Sequence, residues 1–584
     1  MYSNERRNQY IRSKTEGQGS VDYGSSGNNG LTIPSDIDKF DSRNQSDFSG
    51  DEQGTSCSLV NEISPLLMRS SKTSYGNHKN YVLAQQVLEQ ERSILKDHNT
   101  RIPNRGNENQ AIKFFGKAAS STKITDTTAL SELKSLFAAS VPLAITFLLQ
   151  CSLSTVSVFT AGHLGAVELA GVSIGSMTAS ISGYAIIQGI SSALDTLCPQ
   201  AFGANEYHLV CAYLQKCVAM NFTIMVPILF IWTFFGYEVI TGFLPDNETA
   251  KYAAVYLRYI APGIPAYILF ECGKKFLEAQ GVYHISTIVL LFAAPSNLVM
   301  NLFFVRTFGY IGIPMAVSIN YWLMTFGLFV SIIYFIKPHS TPSGKHPLMC
   351  WNGLHIKQAF KSWNQLVYLA VPGLVMLEAK FFALEILTLI ASHLGTLSLA
   401  AQSVGTAIAS LAYQIHIAIG IASSTRIANF LGAGSNSAAK KTTQVSLCFV
   451  LVFSIINVLF LYCFQTRIAP LFTKDEKVIE TVEGIMWLIA LLQVCDAINA
   501  GSSGCLRGQG QTKIGGIVTL LSYYLIGIPL AIYLTFYSNF KGTINGLWIG
   551  NCVALFIIGV VQSYYALFVD FVRLCTDAQK RTTD

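Results

Sequence analysis

From about residue 133 onward the chain alternates long apolar blocks with short polar connections, a pattern absent before that point. A bilayer core of about 30 Å is crossed by about 20 mostly apolar residues in a helix. Twelve blocks meet that length: 135–160, 168–194, 212–235, 252–272, 284–306 and 311–336, then 364–391, 396–422, 442–464, 479–501, 514–536 and 545–570. Backbone polar groups find no water inside lipid and must bond within their own segment, so the blocks predict helices. A polar connection, Lys337 to Lys357, divides them into two sets of six.

The two sets repeat. "VPLAITFLLQCSLSTVSVFTAGHLGAVELA" from Val141 aligns with "VPGLVMLEAKFFALEILTLIASHLGTLSLA" from Val371 at an offset of 230. "FLEAQG" from Phe276 aligns with "CLRGQG" from Cys505, and "QAFGAN" from Gln200 with "NFLGAG" from Asn429, both at 229. The expected architecture is an all-α integral membrane protein with twelve transmembrane helices in two pseudo-symmetric six-helix bundles, 133–336 and 364–570, joined by a linker at 337–363. Each set has an even number of spans, so the repeats run parallel, related by an axis along the membrane normal. Halves of this kind bracket a central cavity, and rocking them gives alternating access. That favours a transporter over a receptor or a membrane-anchored enzyme. No nucleophile–base signature or metal-ligand cluster is visible, so no enzymatic activity and no cofactor are expected. The lack of a P-loop excludes drive by a nucleotide bound to this chain.

Composition sharpens the picture at the ends. The chain is 51% hydrophobic and 13% charged, where a soluble domain carries about a quarter charged residues. Residues 1–125 are polar, with few aliphatic residues, and are expected to be a disordered cytoplasmic tail. Within it, Val82 to Asp97 has helical apolar spacing, and "EISPLL" (Glu62 to Leu67) resembles an acidic dileucine sorting signal for the vacuole. Residues 571–584 form a short C-terminal tail. No secretory signal opens the sequence, so the first span is expected to direct insertion. The net charge of +6 is spread over connections without an aromatic-interleaved basic patch, so no nucleic-acid partner is expected. Thirteen cysteines, lying mostly inside apolar runs, are expected to pack as small hydrophobes. Basic residues concentrate in the even-numbered connections, among them Lys274, Lys275, Lys357, Arg426, Lys441 and Arg507. Both termini are therefore expected on the cytoplasmic side. The sequon Asn247–Glu248–Thr249 then falls on the opposite face.

The spans hold few charges. A carboxylate at the bilayer centre costs about 2.5–3.5 kcal/mol, so one is retained mainly for function or specific pairing. "MLEAKFFALEI" (Met376 to Ile386) in the seventh span carries three charged residues. Glu378 and Glu385 lie seven apart and share a helix face, whereas Lys380 points roughly the other way and suits a helix contact. A carboxylate removed from water favours its protonated form, so such groups can take up and release a proton. Asp496, mid-span in the tenth block, is the remaining acidic candidate. Glu271 is expected to pair with Lys274 or Lys275 at the interface, Asp195 to cap a loop, and His416 to pack. Pro142 and Pro372 open the first span of each half and suit bendable helices.

Several stretches resemble the multidrug and toxic compound extrusion (MATE) family. "ALDTLCPQAFGA" resembles the signature after its second span, "RIANFLGAG" the end of its eighth, and "LRGQGQTKIGGIVTLLSYYLIGIPLAI" the tenth-to-eleventh span signature of eukaryotic members. The resemblance covers about 133–570, and the long polar N-terminus is similar to that of fungal members. It implies an antiporter that exports organic cations or other small solutes against protons, with sodium as the alternative ion, in two V-shaped bundles. It maps coupling or substrate roles onto Glu385, Asp496, Tyr523 and Tyr524. Where the family's eukaryotic members have a second glutamate, eight residues after the proline, this chain has Lys380. A fixed positive charge there is expected to change cation preference or to favour the ionised form of a nearby carboxylate. The expected setting is the vacuolar or plasma membrane, with a monomer in contact with lipid. A lipid-linked-precursor flippase of the same superfamily, and a non-transporting membrane enzyme or receptor, are the alternatives.

Overall fold

The structure, a computed structural model, describes residues 127–242, 246–336, 346–473, 475–538 and 542–583. All of them fall in one compact unit. The N-terminal tail, with its predicted helix at 82–97 and the EISPLL motif, lies outside the described residues, as does 337–345 of the polar connection. Among the described residues there are helices and no strands.

The first half consists of α1 (Ala129–Gly162), α2 (Val167–Gly203), α3 (Tyr207–Phe234), α4 (Asn247–Ala279), α5 (His284–Phe308) and α6 (Gly312–Val330). The second consists of α7 (Asn364–Ser392), α8 (Thr396–Gly432), α9 (Asn436–Cys463), α10 (Glu476–Gly508), α11 (Thr512–Tyr537) and α12 (Asn545–Phe568), and α13 (Phe571–Thr583) follows. Among the described residues, ten apolar stretches are long enough to cross a membrane, one of them being α5 and α6 together. With that stretch divided and the 29-residue α7 added, the predicted twelve are present. The repeat holds at the level of helix ends: α3 and α9, and likewise α4 and α10, start and stop 229 residues apart. The turns between them repeat as well. Asn205 (φ 63°) matches Gly434 (φ 75°), and Gly281 (φ 77°) matches Gly510 (φ 73°), left-handed positions that Gly and Asn adopt at least cost.

Three helices run well past the apolar blocks that predicted them. α2, α8 and α10 continue to Gly203, Gly432 and Gly508. Their extra turns carry Asp195, Gln200, Ser424, Thr425 and Gly508, all buried. Apolar windows mark where lipid contact ends, whereas these turns bury polar groups against one another beyond it. Asp195 accordingly does not cap a loop. It sits inside the helical turn Leu194–Gly203 and pairs with Lys275 at 2.8 Å and with Arg507 at 3.3 Å. Lys274, Lys275, Arg426 and Arg507, read from the sequence as connection charges, likewise lie within helices and are ion-paired.

These turns form the seam between the halves. A side chain on Gly203 would strike the Asn429 carbonyl, and one on Gly432 would strike the Gln200 carbonyl, so α2 and α8 cross backbone to backbone. Around the crossing, Thr196 donates to the Arg507 carbonyl at 2.6 Å. Glu132 on α1 accepts two 2.9 Å hydrogen bonds from Arg426 on α8 and a third from Thr442 on α9. Leu136, Ala139 and Leu143 of α1 pack on Ala418, Ile419 and Ala422 of α8. The helix α13 lays Phe571, Leu574 and Ala578 on Ile427, Leu431 and Leu506 of the second half. Its Arg581 reaches Gln200 of the first half at 3.1 Å. All of these contacts lie at the end of the bundle that carries α13 and the start of α1.

The crossing predicts a local outcome. Gly432→Ala places a methyl group against the Gln200 carbonyl and separates the ends of α2 and α8. Hydrogen–deuterium exchange is expected to rise over 196–203 and 425–432 and to stay unchanged in α5 and α12. Equal exchange in both proteins would show that the seam does not depend on this contact.

Candidate functional site

Two cavities lie between the halves, of about 400 and 110 Å³. They share Phe147, Gln188, Leu377, Lys380, Tyr413 and Ile417 as lining. The smaller reaches toward the seam, where Asp195, Lys275 and Arg507 border it. The larger extends away from the seam, toward Leu153 on α1 and Leu387 on α7.

The second half contributes an ion pair. Lys380 on α7 donates to Asp496 Oδ1 on α10 at 2.8 Å. Its Nζ also lies over the Tyr413 ring of α8, 3.6 Å from the centroid. The two side chains are 19% and 5% exposed, so the pair is largely sheltered yet borders open space. Lys380 makes the helix contact that its position opposite the glutamates suggested, with the tenth-span acid as partner, and it also borders the cavity. Tyr523 lines the smaller cavity beside it, with a buried hydroxyl that has no hydrogen-bond partner among the described residues.

The first half contributes a second pair. Glu271 on α4 accepts from Gln150 on α1 at 2.7 Å and from Lys274 at 2.9 Å. Both charged side chains are almost fully buried. Pairing with Lys274 matches the sequence-based expectation, but its place inside the bundle, on the cavity wall, does not. Tyr184, Tyr267 and Tyr321 cluster above it, with ring centroids 4.9 to 6.0 Å apart. The 229–230 offset relates the two sides. It carries Gln150 onto Lys380, Tyr184 onto Tyr413 and Tyr267 onto Asp496. Sequence reasoning missed Gln150, Tyr184, Tyr267 and Tyr413. The repeat was the available signal, since each is the counterpart of a cavity residue in the other half.

The two seventh-span glutamates stand apart from this pair. Both Glu378 oxygens are buried without a hydrogen-bond partner among the described residues, and Tyr524 is within electrostatic reach. Glu385 lines neither cavity and has no ion-pair or hydrogen-bond partner among the described residues. His416 is fully buried on α8, both ring nitrogens lacking partners, within electrostatic reach of Asp496 and Lys380. The structure thus brings Lys380, Asp496, Tyr413 and Tyr523 together and leaves Glu378, Glu385 and Tyr524 outside that cluster.

Residues 142–303 and 374–533 match the family described as MatE, one match in each half. An uncharacterized transporter of Saccharomyces cerevisiae, YDR338C, is 40% identical over 78% of this chain; the match spans 64% of the yeast protein's own length. An uncharacterized transporter of Schizosaccharomyces pombe, C4B3.13, is 36% identical over 77% of this chain and 82% of its own. Among solved structures, the eukaryotic MATE transporter AtDTX14 superposes with a TM-score of 0.71 at 26% identity, covering 78% of this chain and 99% of that one.

A largely buried ion pair is costly to break from one side, because the remaining charge is left without a partner. Asp496→Asn is expected to lower stability by roughly 3 kcal/mol, seen as a lower melting temperature of the detergent-solubilised protein. The double variant Lys380→Met with Asp496→Asn is expected to recover most of that loss. Equal melting temperatures for the single variant and the wild type would mean that the pair contributes nothing to the fold.

Proposed function

The chain belongs to the MatE family, and from that premise we propose that it is a secondary active antiporter exporting small organic solutes, organic cations in particular, in exchange for protons. One observation carries the reading: an inter-half cavity of about 400 Å³, shut at the seam end, whose charged lining is the Lys380–Asp496 pair. Alternating access follows if the seam parts while the opposite end closes, since packed interfaces switch between discrete arrangements. With both termini cytoplasmic, the present arrangement would present the cavity to the far side, where an exporter releases its load. The vacuolar and plasma membranes are the settings that fit export from the cytoplasm.

Glu378, Lys380, Glu385 and Asp496, with Tyr523 and Tyr524 beside them, are the proposed coupling and binding groups. Asp496 offers the negative charge and Tyr413 the aromatic face that an organic cation needs. Apolar walls such as Phe147, Phe381 and Leu555 suit a hydrophobic body. Every cation lining the two cavities has a carboxylate partner: Lys274 with Glu271, Lys275 and Arg507 with Asp195, and Lys380 with Asp496. That balance supports cation transport over flipping of a phosphorylated lipid precursor, which would call for unpaired positive charge.

The test is uptake of ethidium into vesicles of purified protein, under an imposed pH gradient or an imposed sodium gradient. The expected outcome is uptake driven by the pH gradient, insensitive to sodium, and lost in Asp496→Asn. Uptake that follows sodium instead would overturn the choice of coupling ion. Uptake retained by Asp496→Asn would remove the tenth-span acid from the mechanism.

A further inference from the structure

The ammonium of Lys380 occupies the position an organic cation would be expected to take. It is 2.8 Å from the Asp496 carboxylate and 3.6 Å from the Tyr413 ring centroid, on the wall of the larger cavity. A carboxylate set beside an aromatic face is a recognition set for a cation. The residues lining that cavity include no other charged side chain. A cation that takes the Asp496–Tyr413 position therefore displaces Lys380 from its one anionic partner among the described residues.

The displaced ammonium has nowhere to go as an ion. On its own helix, Glu378 and Glu385 lie roughly 160° and 140° around from Lys380, given about 100° per residue. From α8 it faces Tyr413 and His416, and from α11 Tyr523, none of which is an anion when neutral. Across the smaller cavity, Glu271 is already held by Lys274 and Gln150. Nearer the seam, Asp195 is held by Lys275 and Arg507. An unpaired ammonium on a largely sheltered wall, beside a second cation, is pushed to give up its proton, a response lysine shows more readily than arginine.

Building on the antiport reading above, we propose that Lys380 is the proton-exchanging group of this transporter. An organic cation and the Lys380 proton compete for the Asp496–Tyr413 position. When the cation binds, one Nζ–H bond breaks, the electron pair stays on nitrogen, and the proton leaves to water through the larger cavity. The cavity gains one positive charge and loses one, so the exchange is one proton per monovalent cation. When the cation leaves, Nζ takes a proton back and restores the ion pair. The substituted position then has a purpose. A lysine there is itself the competitor for the acid, so the Lys380–Asp496 site carries no net charge when empty and none when loaded with a monovalent cation.

The experiment uses the full chain in detergent, with ethidium as the probe. Binding is read by fluorescence and proton release by a pH-indicator dye in weak buffer. For the wild type the expected results are about one proton released per ethidium and an affinity that rises about tenfold per pH unit, as linkage to a single released proton requires. Lys380→Met is expected to bind ethidium more tightly, without proton release and without pH dependence. Lys380→Arg keeps the pair with Asp496 but cannot deprotonate, so its ethidium affinity is expected to fall at least tenfold. Proton release that persists in Lys380→Met, or Lys380→Arg behaving as wild type, would overturn the proposal. If Lys380→Met does not fold, the arginine variant decides alone. Ethidium binding by the wild type with no proton release would overturn it while leaving cation recognition standing. A wild type that binds no ethidium would remove the cation reading and this mechanism together.

Discussion

Two helices from opposite halves approach so closely that each rests a glycine against the other's backbone: Gly203 of α2 on the Asn429 carbonyl, Gly432 of α8 on the Gln200 carbonyl. The contact is its own image under the 229-residue repeat, which places it at the pseudo-symmetry axis. Side chains cannot enter a gap of this kind, so the halves are either in contact there or apart. The polar extensions of α2, α8 and α10 surround the crossing with buried hydrogen bonds and ion pairs. Glu132 with Arg426 and Asp195 with Arg507 are pairs that span the two halves. Separating the halves would break these together, as the proposed alternating access requires.

The same repeat shapes the cavity above the seam and shows where the halves have diverged. Equivalent positions on α1 and α7 hold Gln150 and Lys380, and those on α4 and α10 hold Tyr267 and Asp496. In the first half the acid is instead Glu271, one turn further along α4, locked to Lys274 and Gln150 and almost fully buried. In the second half the pair touches open space. Both pairs border a cavity, but exposure separates them: Glu271 and Lys274 are almost fully buried, whereas the Lys380–Asp496 pair edges the larger cavity, where it could exchange partners with a solute.

Twelve helices, two halves and the parallel repeat were legible because lipid imposes long apolar blocks and because the halves kept their register. The ends of α2, α8 and α10 were not legible. A window of hydrophobicity stops at Asp195 or Ser423, while the helix continues on hydrogen bonds to another helix that the sequence does not announce. Asp496 was found because a mid-span carboxylate is costly in lipid. The helix contact of Lys380 was legible from its place opposite Glu378 and Glu385, but not the identity of its partner, Asp496, nor the cavity beside it. The structure shows that the lysine face, and not the glutamate face, looks into the cavity. Tyr413 carries no signal of its own and is visible only as the counterpart of Tyr184.

The central claim is that the Lys380–Asp496–Tyr413 cluster is where the solute binds. The most direct measurement is the position of an iodine-labelled organic cation, located by anomalous scattering in crystals of the loaded protein. The account predicts an iodine peak in the larger cavity, the cationic group within hydrogen-bond or aromatic-face distance of Asp496 and Tyr413, and Lys380 moved off the acid. A peak beside Tyr184, Tyr267 and Tyr321 with the Lys380–Asp496 pair intact would contradict it and place recognition in the first half.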